Sequence, residues 1–227
     1  MTAFFPRRTR GIILAADLPT VAANCEVLDQ VSDLVDAVKI GSPLVYSEGF
    51  GAIESLKARY LKPVFADLKV ADVPHTNAKI IRQVAESGGD AVMVHGIVGP
   101  DGLADALDAA DGRLGIIVQL ELTNPGGRMF SQPIADDVAS MAATFPVYGF
   151  QAPGNRPERV ARIRAIVGCE PVIVCCGVGH QGGTCRAVFE AGGDFAIVGR
   201  AIYGAVNPRA ALESLAAPSV NGVGDVP

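Results

Sequence analysis

Eight short apolar runs alternate with amphipathic segments along the whole chain, at residues 11–16, 35–40, 63–66, 90–94, 114–120, 146–150, 171–175 and 194–198. They are rich in Val and Ile and mostly continuous rather than alternating, the pattern of parallel strands covered on both faces. Helical spacing fills the gaps, as in Leu28, Val31, Leu34 and Val35 or in Ile80, Ile81, Val84 and Ala85. Pro74, Pro157 and Pro208 stand where they open helices at a first-turn position. Gly88-Gly89 and Gly192-Gly193 stand where helices stop, each just before a strand that begins with Asp. Eight strand-helix units in this length predict an α/β fold, a single-domain (β/α)8 TIM barrel over residues 1–216. Residues before Gly11 are expected to form an irregular cap. Residues 217–227 lose apolar periodicity and are expected to be a flexible C-terminal tail.

Composition narrows the class. The 227 residues are 49% apolar and 19% charged, the profile of one soluble domain. A net charge of -5 gives no basis for nucleic acid or an anionic membrane as partner. No stretch approaches the ~18 apolar residues of a membrane span. Arg7, Arg8 and Arg10 precede the run at 11–16, which is too short for a signal-peptide core and ends at Asp17. Five cysteines without a C-x-x-C pair read as reduced thiols, so the expected location is cytoplasmic. Three histidines and no cysteine-histidine spacing predict no metal site.

Polar residues interrupt the strand pattern at one kind of place. Asp17 follows strand 1, Lys39 ends strand 2, Asp67 and Lys69 end strand 3, and His95 ends strand 4. Thr123 follows strand 5, Gln151 ends strand 6 and Arg200 follows strand 8. These are C-terminal strand ends, where barrel enzymes carry their chemistry. The densest cluster is Asp67-Leu68-Lys69-Val70-Ala71-Asp72. In an extended segment Asp67 and Lys69 point to the same side. With Lys39 they would form an alternating charge array that keeps a lysine protonated beside an ionised carboxylate. An ordinary salt-bridged strand end is the alternative.

A second constellation is Gly177-Val178-Gly179-His180-Gln181-Gly182-Gly183, followed later by Gly199-Arg200. A glycine-rich loop after strand 7 with backbone N–H groups after strand 8 is the usual phosphate site of such barrels, and Arg200 adds a bidentate donor. The glycines also suit a closing lid. A flexible connection without a ligand is the plainer reading. His95 reads equally as a structural or a contact residue, His180 as solvated, and Cys175 and Cys176 as packing residues rather than nucleophiles.

At this point the motifs resemble a family. Asp67-x-Lys69-x-x-Asp72 followed by Val73-Pro74 is similar to the signature of the orotidine 5'-monophosphate decarboxylases, above all the short archaeal-type enzymes. The resemblance runs from Gly11 to Leu215 through Leu14-Ala15-Ala16-Asp17, Val38-Lys39-Ile40-Gly41, Val94-His95-Gly96, Pro125-Gly126-Gly127, Arg156-Pro157-Glu158-Arg159, the 177–183 loop and Val198-Gly199-Arg200-Ala201-Ile202-Tyr203. It implies decarboxylation of orotidine 5'-monophosphate to UMP and carbon dioxide, the last step of de novo UMP synthesis, with no cofactor. By the same resemblance Asp17 binds a ribose hydroxyl, Lys39 bridges ribose and Asp67, and Asp67 sits near the scissile carboxylate. Lys69 protonates the carbon that carbon dioxide leaves. Asp72 and Thr76 enter from the partner subunit of a homodimer, Thr123 contacts the pyrimidine, and Gln181 links base and phosphate. Arg200 holds the phosphate, with Val178 and Gly199 in the same substrate-binding set. Thr123 stands where the family usually has serine, and Cys176 where proline commonly precedes the Gly-Val-Gly run.

The alternative within the superfamily is a magnesium-dependent sugar-phosphate enzyme, such as 3-keto-L-gulonate 6-phosphate decarboxylase or hexulose 6-phosphate synthase. Those place a carboxylate where this chain has Lys39, and a lysine there would repel the metal. A non-enzymatic barrel that senses a phosphate ligand leaves the charge array unexplained.

Overall fold

A computed structural model of the chain describes Phe4 and residues 8–216. Strands β1 (Ile12–Ala16), β2 (Ala37–Gly41), β3 (Val64–Val70), β4 (Ala91–His95), β5 (Gly115–Gln119), β6 (Gly149–Pro153), β7 (Val172–Cys176) and β8 (Phe195–Val198) pair in parallel in sequence order, and β8 closes on β1. The barrel is the expected TIM fold. Around it run α1 (Val21–Val31), α2 (Ser42–Glu48), α3 (Gly51–Tyr60), α4 (Pro74–Glu86), α5 (Gly99–Ala110), α6 (Gly127–Phe130), α7 (Gln132–Ala142), α8 (Pro157–Val167), α9 (Cys185–Glu190), α10 (Arg200–Tyr203) and α11 (Pro208–Ala216). Among the described residues no helix is long and apolar enough to cross a membrane. The stretch 217–227 and Arg7 lie outside the described residues.

Each apolar run becomes a strand, with shifts that have physical causes. The run at 63–66 stops at Asp67, but β3 continues to Val70, because inward positions at this end of the barrel face a polar cavity. The run at 146–150 starts three residues before β6, since Pro146 and Val147 first turn the chain in from α7. Lys39 and Gln151 accordingly lie inside their strands rather than at the ends. The helical spacing through Leu34 and Val35 outlasts α1. Residues Ser32–Leu34 tighten into a 3-10 turn and Val35 is extended, yet Val35 stays buried. Pro74, Pro157 and Pro208 open α4, α8 and α11 as expected. Gly88 (φ 80°) and Gly192 (φ 92°) stop helices in the left-handed region.

Two apolar layers hold the barrel. One lies between strands and helices; the other fills the barrel with Ile13, Phe65, Met93, Ile117, Val174, Phe195 and Ile197. At the N-terminal end, aspartates stitch strand pairs together. The Asp36 carboxylate accepts the N–H groups of Thr9, Arg10 (2.9 Å) and Gly11 (2.7 Å) and the Thr9 hydroxyl. Thus the segment just before β1 is tied down, although it has no regular structure. Asp90 accepts the Val64 N–H (2.8 Å) and the Lys57 ammonium (2.8 Å). Asp194 accepts the Ile173 N–H (2.7 Å) and the Arg164 guanidinium (2.6 Å). The backbone N–H groups of Asp90 and Asp194 in turn donate to Val64 and Ile173. Between β5 and β6 that place belongs to Tyr148, whose N–H donates to the Ile116 carbonyl and whose ring meets Phe4 edge-on, 5.2 Å between centroids.

Candidate active site

A cavity of about 220 Å³ opens at the C-terminal end of the barrel. Parallel pairing sets Ala15 beside Lys39 and Gly41 beside Asp67, so β1, β2 and β3 deliver their polar groups to one wall. The Lys39 ammonium donates to both Asp17 oxygens (2.8 and 3.0 Å) and lies 3.4 Å from Asp67 Oδ2. Asp67 Oδ1 accepts the Lys69 ammonium at 2.7 Å. The result is an alternating chain Asp17–Lys39–Asp67–Lys69 along the cavity. Gly41 makes room for it: a Cβ there would lie 2.4 Å from Asp17 Oδ1.

Burial and charge compete in this array. Desolvation alone would depress the Lys39 ammonium, but Asp67 and Asp17 on either side outweigh it and hold its pKa above the ordinary lysine value. Burial likewise pushes the Asp67 carboxyl up, and Lys39 and Lys69 together bring it below the usual range. Both groups therefore stay ionised around neutral pH. The expected charge array is present, and the lysine whose charge it reinforces is Lys39. Lys69 reaches Asp67 by a different route from simple alternation. Its φ is +48°, and the β3–β4 register shifts between Ala66 and Val70. A long side chain in the left-handed region is uncommon and costs about 1–3 kcal/mol, a strain that tends to collect at functional sites.

The opposite wall is the glycine-rich loop. Gly177 (φ 86°), Gly179 (φ 78°) and Gly182 (φ 90°) all use the left-handed region. The loop folds on itself through Gly179 N–H to Gly183 O and Gly182 N–H to Gly179 O, both 2.8 Å. Val178, Gln181, Gly199 and Arg200 line the cavity from this side. The Thr123 hydroxyl donates to Gln181 Oε1 at 3.1 Å, so the loops after β5 and β7 meet over the cavity. His180 lies exposed at the rim.

Asp72 and Thr76 do not reach this cavity from their own chain. Asp72 is exposed, its backbone pinned by the buried Asn77, whose Oδ1 accepts the Asp72 N–H (2.8 Å) while Nδ2 donates to the Asp72 carbonyl (2.6 Å). Pro74 keeps Val73 extended (φ -66°, ψ 153°), and Thr76 sits in the first turn of α4. His95 caps a 3-10 turn by accepting the Ile97 N–H at 3.3 Å, and burial together with Lys69 lowers its pKa. Cys175 is fully buried, its thiol pushed up by burial. Cys176 faces the cavity, where burial and then Asp67 push its thiol up to about 12. Raised thiols of this kind suit packing rather than nucleophilic attack.

Several residues at the site escaped sequence reasoning. Glu121, fully buried just past β5, accepts from Arg159 Nε at 2.5 Å and faces Arg156 Nη2 at 3.6 Å. Burial raises its carboxyl even against these arginines. Arg156 Nη2 donates to the Leu122 carbonyl (2.6 Å) and Asn155 Nδ2 to the Thr123 carbonyl (3.1 Å), clamping the backbone that carries Thr123. The Arg156-Pro157-Glu158-Arg159 motif was the one signal for this network. Gln119 and Tyr203 also line the cavity; a glutamine at the end of the apolar run 114–120 was the signal for the first.

Comparison with known proteins points to one family. The profile of the Orotidine 5'-phosphate decarboxylase / HUMPS family matches residues 10–215. A protein of Methanosarcina barkeri named Orotidine 5'-phosphate decarboxylase is 42% identical over 207 residues, covering 91% of this chain and 93% of its own. One of the same name from Pyrococcus furiosus is 34% identical over 204 residues, covering 90% and 95%. Among solved structures, orotidine 5'-monophosphate decarboxylase from Methanocaldococcus jannaschii complexed with inhibitor BMP superposes with a TM-score of 0.85 at 36% identity, covering 91% of this chain and 96% of that one. With the family profile spanning the barrel from end to end, the chain belongs to the Orotidine 5'-phosphate decarboxylase / HUMPS family.

Proposed function

We propose that this chain decarboxylates orotidine 5'-monophosphate to UMP and carbon dioxide, the last step of de novo UMP synthesis, in the cytoplasm and without metal or cofactor. The observation that carries the reading is the Asp17–Lys39–Asp67–Lys69 chain lining one cavity. In the reaction the bond from the pyrimidine carbon to the carboxylate breaks and its electron pair stays on carbon. The Lys69 ammonium stabilises that developing charge and gives it a proton, while carbon dioxide leaves. Asp67 stands beside the substrate carboxylate, where its negative charge raises the energy of the ground state relative to a transition state that is losing carboxylate charge. Asp17 and Lys39 bind ribose, Thr123 and Gln181 the base, and Arg200, Val178 and Gly199 the phosphate. A cation at Lys39 is a poor neighbour for a divalent metal, which favours this reaction over the magnesium-dependent sugar-phosphate branch. The test is turnover of orotidine 5'-monophosphate after exhaustive EDTA treatment. Full activity is expected; loss that magnesium restores would move the chain to the sugar-phosphate branch.

The working unit in this reading is a homodimer, with Asp72 and Thr76 completing the partner's cavity. Support comes from the loops after β3, β4 and β5, which are neighbours at one barrel end and expose Val73 (63%), Ile97 (60%), Met129 (68%) and Phe130 (76%). Apolar surface of this kind marks an interface. Inactive Lys69→Ala and Asp72→Asn subunits, mixed and reassociated, should recover about a quarter of wild-type activity, since half the dimers are hybrids with one good site of two. A mixture that stays inactive despite verified exchange places Asp72 in its own chain's site.

A further inference from the structure

The floor of the cavity carries two glutamines that the charge array does not use. Gln119 on β5 and Gln151 on β6 are register partners, so their side chains stand side by side on the inward face of the barrel. They are 2% and 1% exposed. Beneath them the barrel interior is apolar, with Phe65, Met93, Ile117 and Val174. Gln151 is tethered, because its Oε1 accepts the Glu121 N–H at 3.3 Å. Gln119 is not: its buried Oε1 has no hydrogen-bond partner among the described residues. A buried carboxamide oxygen left without a partner, as at Gln119, costs stability, and leucine or valine would serve the fold better there. The pair is placed for a ligand.

We propose that Gln119 and Gln151 form a neutral seat for the substituent on the reacting carbon, the carboxylate that leaves as carbon dioxide; this rests on the decarboxylase reading above. In the reading above phosphate, ribose and base have their partners on the cavity walls, so the glutamine floor of the cavity that Asp67 also lines is what remains for the carboxyl group. The chemistry of the seat suits it. A cation there would hold the carboxylate as an anion and oppose its loss, because only interactions stronger in the transition state speed the reaction. A wholly apolar floor would give the carboxylate no hydrogen-bond donor on that side. A carboxamide donates through Nε2 without fixing the charge. The untethered Gln119 amide can also turn about its broad terminal torsion and offer Oε1 to the electron-poor carbon of carbon dioxide as the charge passes to the ring.

The test separates binding of the carboxylate from binding of the rest of the nucleotide. Gln119→Leu keeps the volume and removes an unpartnered polar group, so its thermal midpoint should not fall. Its KM for orotidine 5'-monophosphate should rise about ten- to a hundredfold, the factor of one hydrogen bond to a charged group. Its Kd for UMP, which lacks the carboxylate, should stay within about twofold. The kcat should change less than KM, as expected when the bound substrate forgoes one hydrogen bond. Gln119→Glu, which keeps the shape and adds a charge, should raise KM further while still sparing UMP. Equal losses in KM and UMP affinity would overturn the proposal by making Gln119 a partner of the shared part of the ligand, and so would no change in either. A wild type that fails to turn over orotidine 5'-monophosphate sinks the functional reading itself; an active wild type with an unaltered Gln119→Leu sinks the glutamine seat alone.

Discussion

At the N-terminal end of the barrel, Asp36 accepts backbone N–H groups of the segment leading into β1, Asp90 and Asp194 each accept one from the neighbouring strand, and the last two add a cation from an outer helix. At the C-terminal end, Asp17 and Asp67 accept only from lysine side chains among the described residues. The difference lies in what fixes each carboxylate. A backbone donor is placed by the fold itself, so the lower aspartates are satisfied as soon as the strands pair, and they act on stability. The upper carboxylates are held by ammonium groups that still face an open cavity, so their charges are free to act on a ligand. In the proposed function one residue type thus does structural work at one end and chemistry at the other, as barrels generally divide those tasks.

The sharpest way to break this comparison is Lys69→Ala. If the upper array serves chemistry, kcat should fall by about 10²–10⁴-fold, the range for removal of a general acid. The thermal midpoint should barely move, because Lys69 is partly exposed and its removal relieves a left-handed backbone strain only slightly. A collapse of stability with modest loss of turnover would make the array structural after all.

The mirror-image experiment is Asp90→Ala. It leaves the Val64 N–H without its acceptor and the Lys57 ammonium with only the Gly88 carbonyl. The expected cost is about 1–3 kcal/mol, in the lower half because Lys57 is 40% exposed. For a domain of this size that lowers the midpoint by roughly 2–4 °C per kcal/mol. Turnover per folded molecule should equal wild type. Impaired turnover at unchanged stability would show that the two ends are coupled and erase the division.

How much of this was legible in the sequence follows from how far apart the partners lie. The eight strands were readable because covered parallel strands are continuous apolar runs, and the cavity residues were readable because barrel order places all C-terminal strand ends together. Asp17, Lys39, Asp67, Lys69, Thr123, Gln181 and Arg200 therefore arrive in one place. Asp90 and Asp194 were visible as strand openers, but not their roles, since each partner backbone lies more than 20 residues away. The same holds for Glu121 with Arg159, 38 residues apart. The left-handed Lys69 had no signal, because no residue type announces strain that a lysine tolerates.

The smallest effect concerns a thiol that the upper carboxylates protect. Cys176 lies in the cavity with its pKa pushed up to about 12, first by burial and then by Asp67. Alkylation needs the thiolate, which at pH 8 is then about one part in 10⁴. Cys169 is exposed, whereas Cys175 and Cys185 are buried with raised thiols. Iodoacetamide at pH 8 should therefore label native protein at Cys169 long before Cys176, as peptide mapping by mass spectrometry would read. Asp67→Asn removes the anion and leaves Lys39 and Lys69 as the charges nearest the thiol, both of which lower its pKa. Labelling of Cys176 should then quicken a few-fold, limited because burial, the larger cause, remains. Asp90→Ala, at the other end, should leave the Cys176 rate untouched. If Cys176 labels as fast as Cys169 in the wild type, the cavity is wetter than its geometry implies, and the ionised Asp67 does not govern its surroundings in the way that the contrast between the two ends requires.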